Sequence, residues 1–272
     1  MPRSLMVGSQ EHKELFCQFF MDTHIAFDPT TVTWPELDEE SFKRLHSLPV
    51  WNDAVETECK AACTIQTWAP LETDPLIREA VALQGHEEAR HAAIIQGLTT
   101  HYGIPVSPPP PPQPPADAEW AFMRLGYSEC FDAFFTFALF AIARDSGFFP
   151  PVLVEKFEPV MQEEARHILF FVNWEAYRQA QRPLWQRPRH VWRGALGRVL
   201  QVWRRVQSAM DARGDKNFTM KGYQALRMDV TPRGFLELCL AENARRMDRY
   251  DARLLRPRLV PTIAQALCKV LP

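Results

Sequence analysis

The chain has 272 residues, of which 46% are hydrophobic and 24% are charged. That composition excludes wholesale disorder, a collagen-like repeat and a small disulfide-rich scaffold. The net charge of −2 is unevenly spread: residues 1–177 carry 11 Lys and Arg against 26 Asp and Glu, and residues 178–272 carry 20 against 7. The split predicts an acidic N-terminal unit with a basic C-terminal one docked on it; nucleic acid or anionic lipid binding are the other readings.

The longest nearly unbroken apolar run, Ala133 to Ala143, is about half of the ~20 residues a membrane-spanning helix needs. The opening residues MPRSLMVGSQEHKE contain no signal-peptide apolar core, so the expected location is the cytoplasm. The six cysteines, Cys17, Cys59, Cys63, Cys130, Cys239 and Cys268, include no Cys-x-x-Cys pair and read as reduced. Cys59 and Cys63 share a helix face as small packing residues.

In chain order, a short helix is expected over Glu11–His24, followed by a Pro/Thr/Asp loop from Asp28 to Pro35. Helical patterning resumes from Pro49 to Ala69, with Trp51, Val55, Ala62, Ile65 and Ala69 on one side. Pro70 ends that helix. Glu72-Thr-Asp-Pro75 then carries the acid-and-proline signature of a helix start, and Gly103 marks its end after Tyr102. The segment from Pro105 to Pro115 is dominated by proline. It reads either as a linker between domains or as a rigid crossover. Eleven residues of polyproline II span ~34 Å, the length of a ~23-residue helix. A third long helix is expected over Asp117–Ser146 and a fourth over Val152–Ala180. Further helices are expected at 190–212, 231–250 and 259–270. Strand alternation is absent, so the predicted fold class is all-α.

One five-residue string occurs twice, as Glu87-Glu88-Ala89-Arg90-His91 and as Glu163-Glu164-Ala165-Arg166-His167. Each copy contains Glu-x-x-His, and residues three apart share a helix face, where a carboxylate and an imidazole can ligate one metal. The partner helices each offer an acid on an apolar face, Glu58 and Glu129. Glu58 competes with Glu56. At 100° per residue from Val55, the apolar face centres near about 330°, Glu58 falls at about 300° and Glu56 at about 100°, which selects Glu58. Glu129 competes with Asp132, one turn on. Glu58 and Glu88 are each roughly 13–17 residues from the turn near Pro70–Thr73, and Glu129 and Glu164 roughly 14–20 from the turn near Phe148–Pro151. Antiparallel hairpins therefore bring all four acids to mid-height.

The set Glu, Glu-x-x-His, Glu, Glu-x-x-His, with a long connection between the second and third helices, resembles the ferritin-like di-iron carboxylate superfamily over about residues 48–180. The resemblance implies a ferritin-like four-helix bundle over 48–182, preceded by an N-terminal extension (1–47) and followed by a basic helical extension (183–272) packed on it. It implies metal ligands Glu58, Glu88, His91, Glu129, Glu164 and His167, holding two iron ions, or manganese in their place. Glu58, Glu88 and His91 are expected mainly on one metal and Glu129, Glu164 and His167 on the other, with some acids bridging. Asp132 is the candidate acceptor for a ligand imidazole, Arg90 and Arg166 are candidate supporting residues, and Glu87 and Glu163 are expected as charge partners on the outer face.

Among ferritin-like proteins the chain looks most like the single-chain oxygenases. It carries long flanking segments, which storage ferritins do not, and no rubredoxin-like Cys-x-x-Cys module. The third histidine of the N-oxygenase type is replaced by Val160, and its counterpart before the first motif is Gln84. The expected activity is oxidation of a small, mainly apolar organic substrate by dioxygen, by an oxygenase or oxidase; the alternatives are ferroxidase iron handling, or a lipid- or tRNA-directed hydroxylase. Phe131, Phe134, Phe135, Phe137 and Phe140 are read as core, some lining a substrate channel. No Gly-rich dinucleotide fingerprint occurs, so electrons come from a separate donor or from the substrate. The stretch 190–210 places Trp192, Leu196, Val199, Trp203 and Val206 on one face and arginines elsewhere. It reads as a helix covering the bundle, as a peripheral contact with an anionic membrane, or, least, as a nucleic-acid surface. A monomer or dimer is expected.

Overall fold

The structure is a computed structural model that describes residues 5–210 and 230–271. Among the described residues every regular element is helical. The main helices are α1 (Gln10–Asp22), α2 (Glu39–Ser47), α3 (Trp51–Trp68), α4 (Pro75–His101), α5 (Ala118–Asp145), α6 (Pro151–Val154), α7 (Glu158–Gln181), α8 (Arg187–Met210), α9 (Pro232–Met247) and α10 (Leu259–Cys268).

The ends of the long helices follow from local chemistry. The Asp74 side chain accepts from the backbone N–H groups of Leu76 and Ile77, with Pro75 at the first helical position, so α4 starts there. Past its end, Gly103 sits at φ +66°, Ile104 N–H bonds Thr99 O at 2.8 Å and Gly103 N–H bonds Thr100 O at 3.3 Å. That closure satisfies the carbonyls a helix leaves orphaned and favours glycine, which has no Cβ to clash in left-handed backbone. Asp117 caps α5 by accepting from Trp120 N–H.

Two of the expected elements differ. The first 47 residues hold a second helix, α2, whose start is marked by Asp38 accepting from Ser41 N–H at 2.8 Å and by Glu39 and Glu40 in the first turn. The helix expected over Val152–Ala180 is divided: α6 and a 3-10 turn (Glu155–Phe157) precede α7. Pro159 has no N–H to continue the ladder, so it stands in the first turn of a new helix.

α3 packs on α4 and α5 on α7, while α3 also meets α5 and α4 meets α7. Both hairpins are antiparallel: Gly85 lies against Ile65 while His91 faces Glu58, and Gly126 lies against Phe171 while Glu119 pairs with Arg182. The proline-rich connection runs along the outside of α3. Ser107 N–H donates to Asn52 Oδ1 at 2.8 Å near the start of that helix, and Cys63 Sγ approaches Pro112 O at 3.8 Å two to three turns further on. The crossover reading therefore describes these residues, rather than the linker one.

α5 is long and apolar enough by length and composition to cross a membrane. It is instead enclosed by α3, α7, α8, α9 and α10, and its Phe134 and Phe137 are buried. At one end of the bundle Trp68, Phe122, Phe171 and Trp174 form an edge-to-face aromatic cluster. Gly126 allows this packing, because a Cβ there would stand 2.2–2.4 Å from the Phe171 ring. Gly126→Ala is therefore expected to destabilise the chain by about 1–3 kcal/mol in urea unfolding, since the added Cβ displaces the buried Phe171 ring.

The flanking segments are packed on the bundle. α1 lies against α4 and α7 with Phe16, Cys17 and Phe20 buried. Asn173 of α7 joins both ends of the chain: its Oδ1 meets His12 Nε2 at 3.0 Å and accepts from Leu255 N–H at 2.9 Å. The basic C-terminal helices meet acids of the first part through Arg193–Asp117, Arg198–Glu175 and the buried Arg246 with the partly exposed Glu158.

Candidate metal centre

Four helices bring the six candidate ligands together. α3 carries Glu58, α4 carries Glu88 and His91, α5 carries Glu129, and α7 carries Glu164 and His167. Their ligand atoms form two groups. In the first, one atom each from Glu58, Glu88, His91 and Glu164 lie within 4.8 Å of one another; in the second, the same holds for Glu88, Glu129 and His167. His91 Nδ1 is 3.2 Å from Glu164 Oε1, 3.6 Å from Glu58 Oε2 and 3.7 Å from Glu88 Oε2. His167 Nδ1 is 2.9 Å from Glu88 Oε1. The two oxygens of Glu88 thus face two different histidines, the disposition of a bridging carboxylate.

The grouping differs from the expectation in one respect. Glu164 stands with His91 rather than with His167, its neighbour on α7. α4 and α7 run antiparallel at this height, so each Glu-x-x-His glutamate lies opposite the histidine of the other copy. The imidazole rings are tilted neighbours, with centroids 5.5 Å apart.

The donor set could hold metal ions. Both imidazoles are fully buried, and Glu88 is 2% exposed. Glu88 Oε1, both Glu129 oxygens, His91 Nδ1 and His167 Nδ1 are sealed from solvent and make no hydrogen bond of good geometry, although the imidazole nitrogens face carboxylates. Such orphaned buried atoms are costly unless something else binds them. Burial pushes the Glu58 carboxyl up to about 8 against the pull of His91. Burial, reinforced by the Glu88 and Glu164 charges, holds Glu129 well above the ordinary carboxylate range. Burial opposes the charged imidazolium of His91 and His167, but the carboxylates facing them outweigh it and raise both well above the usual value. Glu88 is also penalised by burial, yet His167 and His91 hold its carboxyl below its usual value. Without cations the cluster keeps protons between its acids and imidazoles; with cations the ligands must give them up.

The outer side of the site corrects the sequence reading. Glu87 and Glu163, expected on the outer face, are both completely buried. Glu163 Oε2 accepts from His91 Nε2 at 2.9 Å, and Glu163 Oε1 accepts from Arg90 at 2.5 Å. Glu87 Oε2 accepts from His167 Nε2 at 2.8 Å, and both Glu87 oxygens accept from Arg166, at 2.8 and 3.0 Å. Each copy of the repeated string therefore braces the other: the first glutamate of one string holds the histidine and arginine of its partner helix. With the proton on Nε2 committed to a carboxylate, Nδ1 presents its lone pair inward.

Asp132 does not perform that task. It accepts from Ser128 Oγ at 3.0 Å along α5, while the outer nitrogen of each ligand imidazole meets Glu163 or Glu87. Arg90 and Arg166 pair with the acids that hold the two histidines, Arg90 with Glu163 and Arg166 with Glu87.

Residues between α1 and the following loop close this layer, and the sequence reading assigned them no role. Arg166 donates to Thr23 Oγ1 at 3.0 Å and to Phe20 O, and Arg90 donates to Ile25 O and Phe27 O, each at 3.0 Å. Each guanidinium also stacks 4.4 Å from a ring centroid, Arg166 over Phe20 and Arg90 over Phe27. His24 Nδ1 meets Glu87 Oε1 at 2.6 Å. His24, Glu87 and Glu163 form a third group of potential ligand atoms, but its acids are already engaged by the two guanidiniums and the two imidazoles. The one local signal for these partners is the repeat itself, in which buried arginines require buried acids.

The helix phase yields a direct control. Glu58 points into the cluster, whereas Glu56 pairs with Lys60 on the exposed side of α3. Glu56→Ala is expected to leave metal content unchanged in elemental analysis, while Glu58→Ala lowers it. The reverse pattern would put the phase of α3 wrong by half a turn.

Comparison with protein-family models, with curated proteins and with solved structures finds no match to this chain.

Proposed function

We propose that the chain is a ferritin-like di-metal carboxylate protein, an oxygenase or oxidase that uses dioxygen to oxidise a small, mainly apolar organic substrate. The observation that carries this reading is the convergence of five buried atoms without a well-formed hydrogen bond, from Glu88, Glu129, His91 and His167, between two histidine-centred groups that share Glu88. Four carboxylates balance the +4 of two divalent ions, and two imidazoles supply borderline nitrogen donors suited to iron or manganese. Two such ions, once reduced, supply dioxygen activation, chemistry that amino-acid side chains do not perform.

The chain's own residues do the rest. Glu88, whose two oxygens face His91 and His167, would help to hold the metals. Glu163 and Glu87 take the Nε2 protons of His91 and His167, and so fix ring orientation. Arg90 and Arg166 neutralise those two acids, so that they do not draw the cations outward. The N-terminal segment around Phe20 and Phe27 excludes water from this layer.

A cavity of about 460 Å³ between α5, α7 and the C-terminal segment has the size of a small-molecule site. Tyr127, Phe131 and Phe171 line it together with Glu175, Arg198 and Arg256, and none of the six candidate ligands does.

The test is anaerobic loading with ferrous iron, elemental analysis and an oxygen electrode. About two metals per chain are expected, with oxygen uptake lost in both His91→Ala and His167→Ala. Retention of two metals and full oxygen uptake by both variants would overturn the reading. So would less than about half a metal per loaded chain. Elution as a large closed shell in gel filtration would favour iron storage instead.

A further inference from the structure

α8 is attached to the bundle with its amphipathic character inverted. Its inward face is made of Gly194, Gly197, His190 and Gln201, with Val202 half-buried beside them. The two glycines let the helix approach closely enough to contact Tyr127, to which added Cβ atoms would come within 2.8–2.9 Å. The apolar residues are on the opposite side: Trp192 is 70% exposed, Val199 62% and Trp203 58%, and just before the helix Trp185 is 78% exposed. At 100° per residue, Trp192, Leu196, Val199 and Trp203 form one outward stripe. Isolated exposed apolar residues are ordinary on a protein surface, but a continuous stripe with two tryptophans, and a third just before the helix, marks a contact surface. The side chains of Arg204, Arg205 and Val206 lie outside the described residues.

The charge around this stripe has one sign. Residues 183–210 contain six arginines and no Asp or Glu. Arg193 and Arg198 tie the helix to Asp117 and Glu175. Arg189 is exposed on the flank of the stripe and has no ion pair among the described residues.

At the foot of the helix a cavity of about 450 Å³ is lined by Arg182, Arg189, His190 and Arg193, with Glu119 and Trp185 beside them. Glu119 is already held by Arg182 at 2.5 Å and Arg178 at 3.3 Å. Two buried donors in the cavity wall lack partners, His190 Nε2 and Arg182 Nε, and His190 is only 6% exposed. Burial, and then the Arg182 charge, hold the His190 imidazole down to about 4. An anion seated there would meet both orphaned groups. Arginine clusters of this kind recognise phosphate oxygens.

We propose that the outward face of α8 docks on an anionic phospholipid bilayer, with its tryptophans at the headgroup level and a lipid phosphate in the Arg182–Arg189–Arg193 cavity. The combination is that of an in-plane interfacial helix: tryptophan and aliphatic residues on one side, arginine on its flanks, no acid. Tryptophan suits the headgroup level because its ring is apolar and its N–H polar. The proposal is independent of the metal chemistry and would survive failure of the oxygenase reading.

The test is flotation of the full chain with vesicles of phosphatidylglycerol and phosphatidylcholine in equal parts, against vesicles of phosphatidylcholine alone. Binding to the anionic vesicles is expected to be at least about tenfold stronger and to weaken with added salt. Trp192→Ser combined with Trp203→Ser is expected to lower that binding about tenfold or more, and Arg189→Glu to lower it separately. All three side chains are exposed, so thermal melting by circular dichroism should not move. Trp185→Ser is a second, independent apolar variant outside the helix. Quenching of tryptophan emission by brominated lipid should fall in the double variant.

Equal binding to neutral and anionic vesicles, or full binding by the tryptophan variants, would overturn the proposal. So would binding of inorganic phosphate or tRNA by a chain that fails to float with anionic vesicles. A dimer that dissociates in the double variant, without vesicle binding, would assign the face to a second copy instead.

Discussion

Replacing Glu163 by alanine is expected to destabilise the protein by about 3–5 kcal/mol and to weaken metal binding by about 10–100-fold. Both effects follow from one carboxylate. Glu163 is the counter-charge of Arg90, whose remaining contacts are the neutral carbonyls of Ile25 and Phe27. Removing the acid leaves a largely buried guanidinium without its anion. It also removes the acceptor for His91 Nε2, so the ring loses the bond that orients Nδ1. Glu163→Gln retains an acceptor but not the charge, and should fall between the two. Glu87→Ala is expected to repeat the pattern through Arg166 and His167. Urea unfolding and metal titration measure the two effects separately. If Glu163→Ala behaves like Glu79→Ala, a change at an exposed position of α4, the bracing role is wrong.

Metal loading is expected to raise the melting temperature, by an amount that grows from pH 5 to pH 8. The raised groups set the sign. Glu58 has a folded-state value of about 8 against an ordinary carboxylate of 4.5, and His91 and His167 are raised well above 6.5. A group whose pKa is higher when folded contributes stability that is complete below its unfolded value and lost as pH rises through its folded value. The metal-free site therefore loses stability from about pH 4.5 upward for Glu58 and from about pH 6.5 upward for the histidines. Glu87 and Glu88 are shifted downward and act oppositely, giving up their contribution only as pH falls below the usual carboxylate range.

Cations bind the deprotonated ligands, so affinity climbs over the same interval in which the metal-free chain weakens. At free metal about 1,000 times Kd, linkage stabilises the fold by about 4 kcal/mol. For a chain of this length that corresponds to roughly 10 °C. Calorimetry with and without ferrous iron, under anaerobic conditions, checks both the size and the trend. A gap that narrows as pH rises would show that protons are not being displaced from this cluster.

Much of the arrangement is written locally. Asp74-Pro75 and Gly103 delimit α4 because a cap needs a side-chain acceptor and a left-handed exit needs a glycine. The repeated Glu-x-x-His and the phase of Glu58 on α3 follow from helical periodicity, which requires no knowledge of the partner helices. Those rules place six ligand candidates, and the structure brings their atoms into two adjoining groups.

What periodicity does not contain is which neighbour covers which face. Glu87 and Glu163 look outward on a four-helix wheel. α1 and the loop after it fill the groove between α4 and α7, and so turn that outside into interior. The choice of Glu163 and Glu87 over Asp132 as imidazole acceptors, and of Glu164 as the partner of His91, depends on the antiparallel register of α4 and α7. That register is set by packing between residues more than 70 positions apart. The outward stripe of α8 is the converse case. Its periodicity is plain in the sequence, but two glycines and Tyr127 decide that the apolar side faces away from the bundle. A helix wheel specifies faces; only close packing between distant segments decides which of them reaches water.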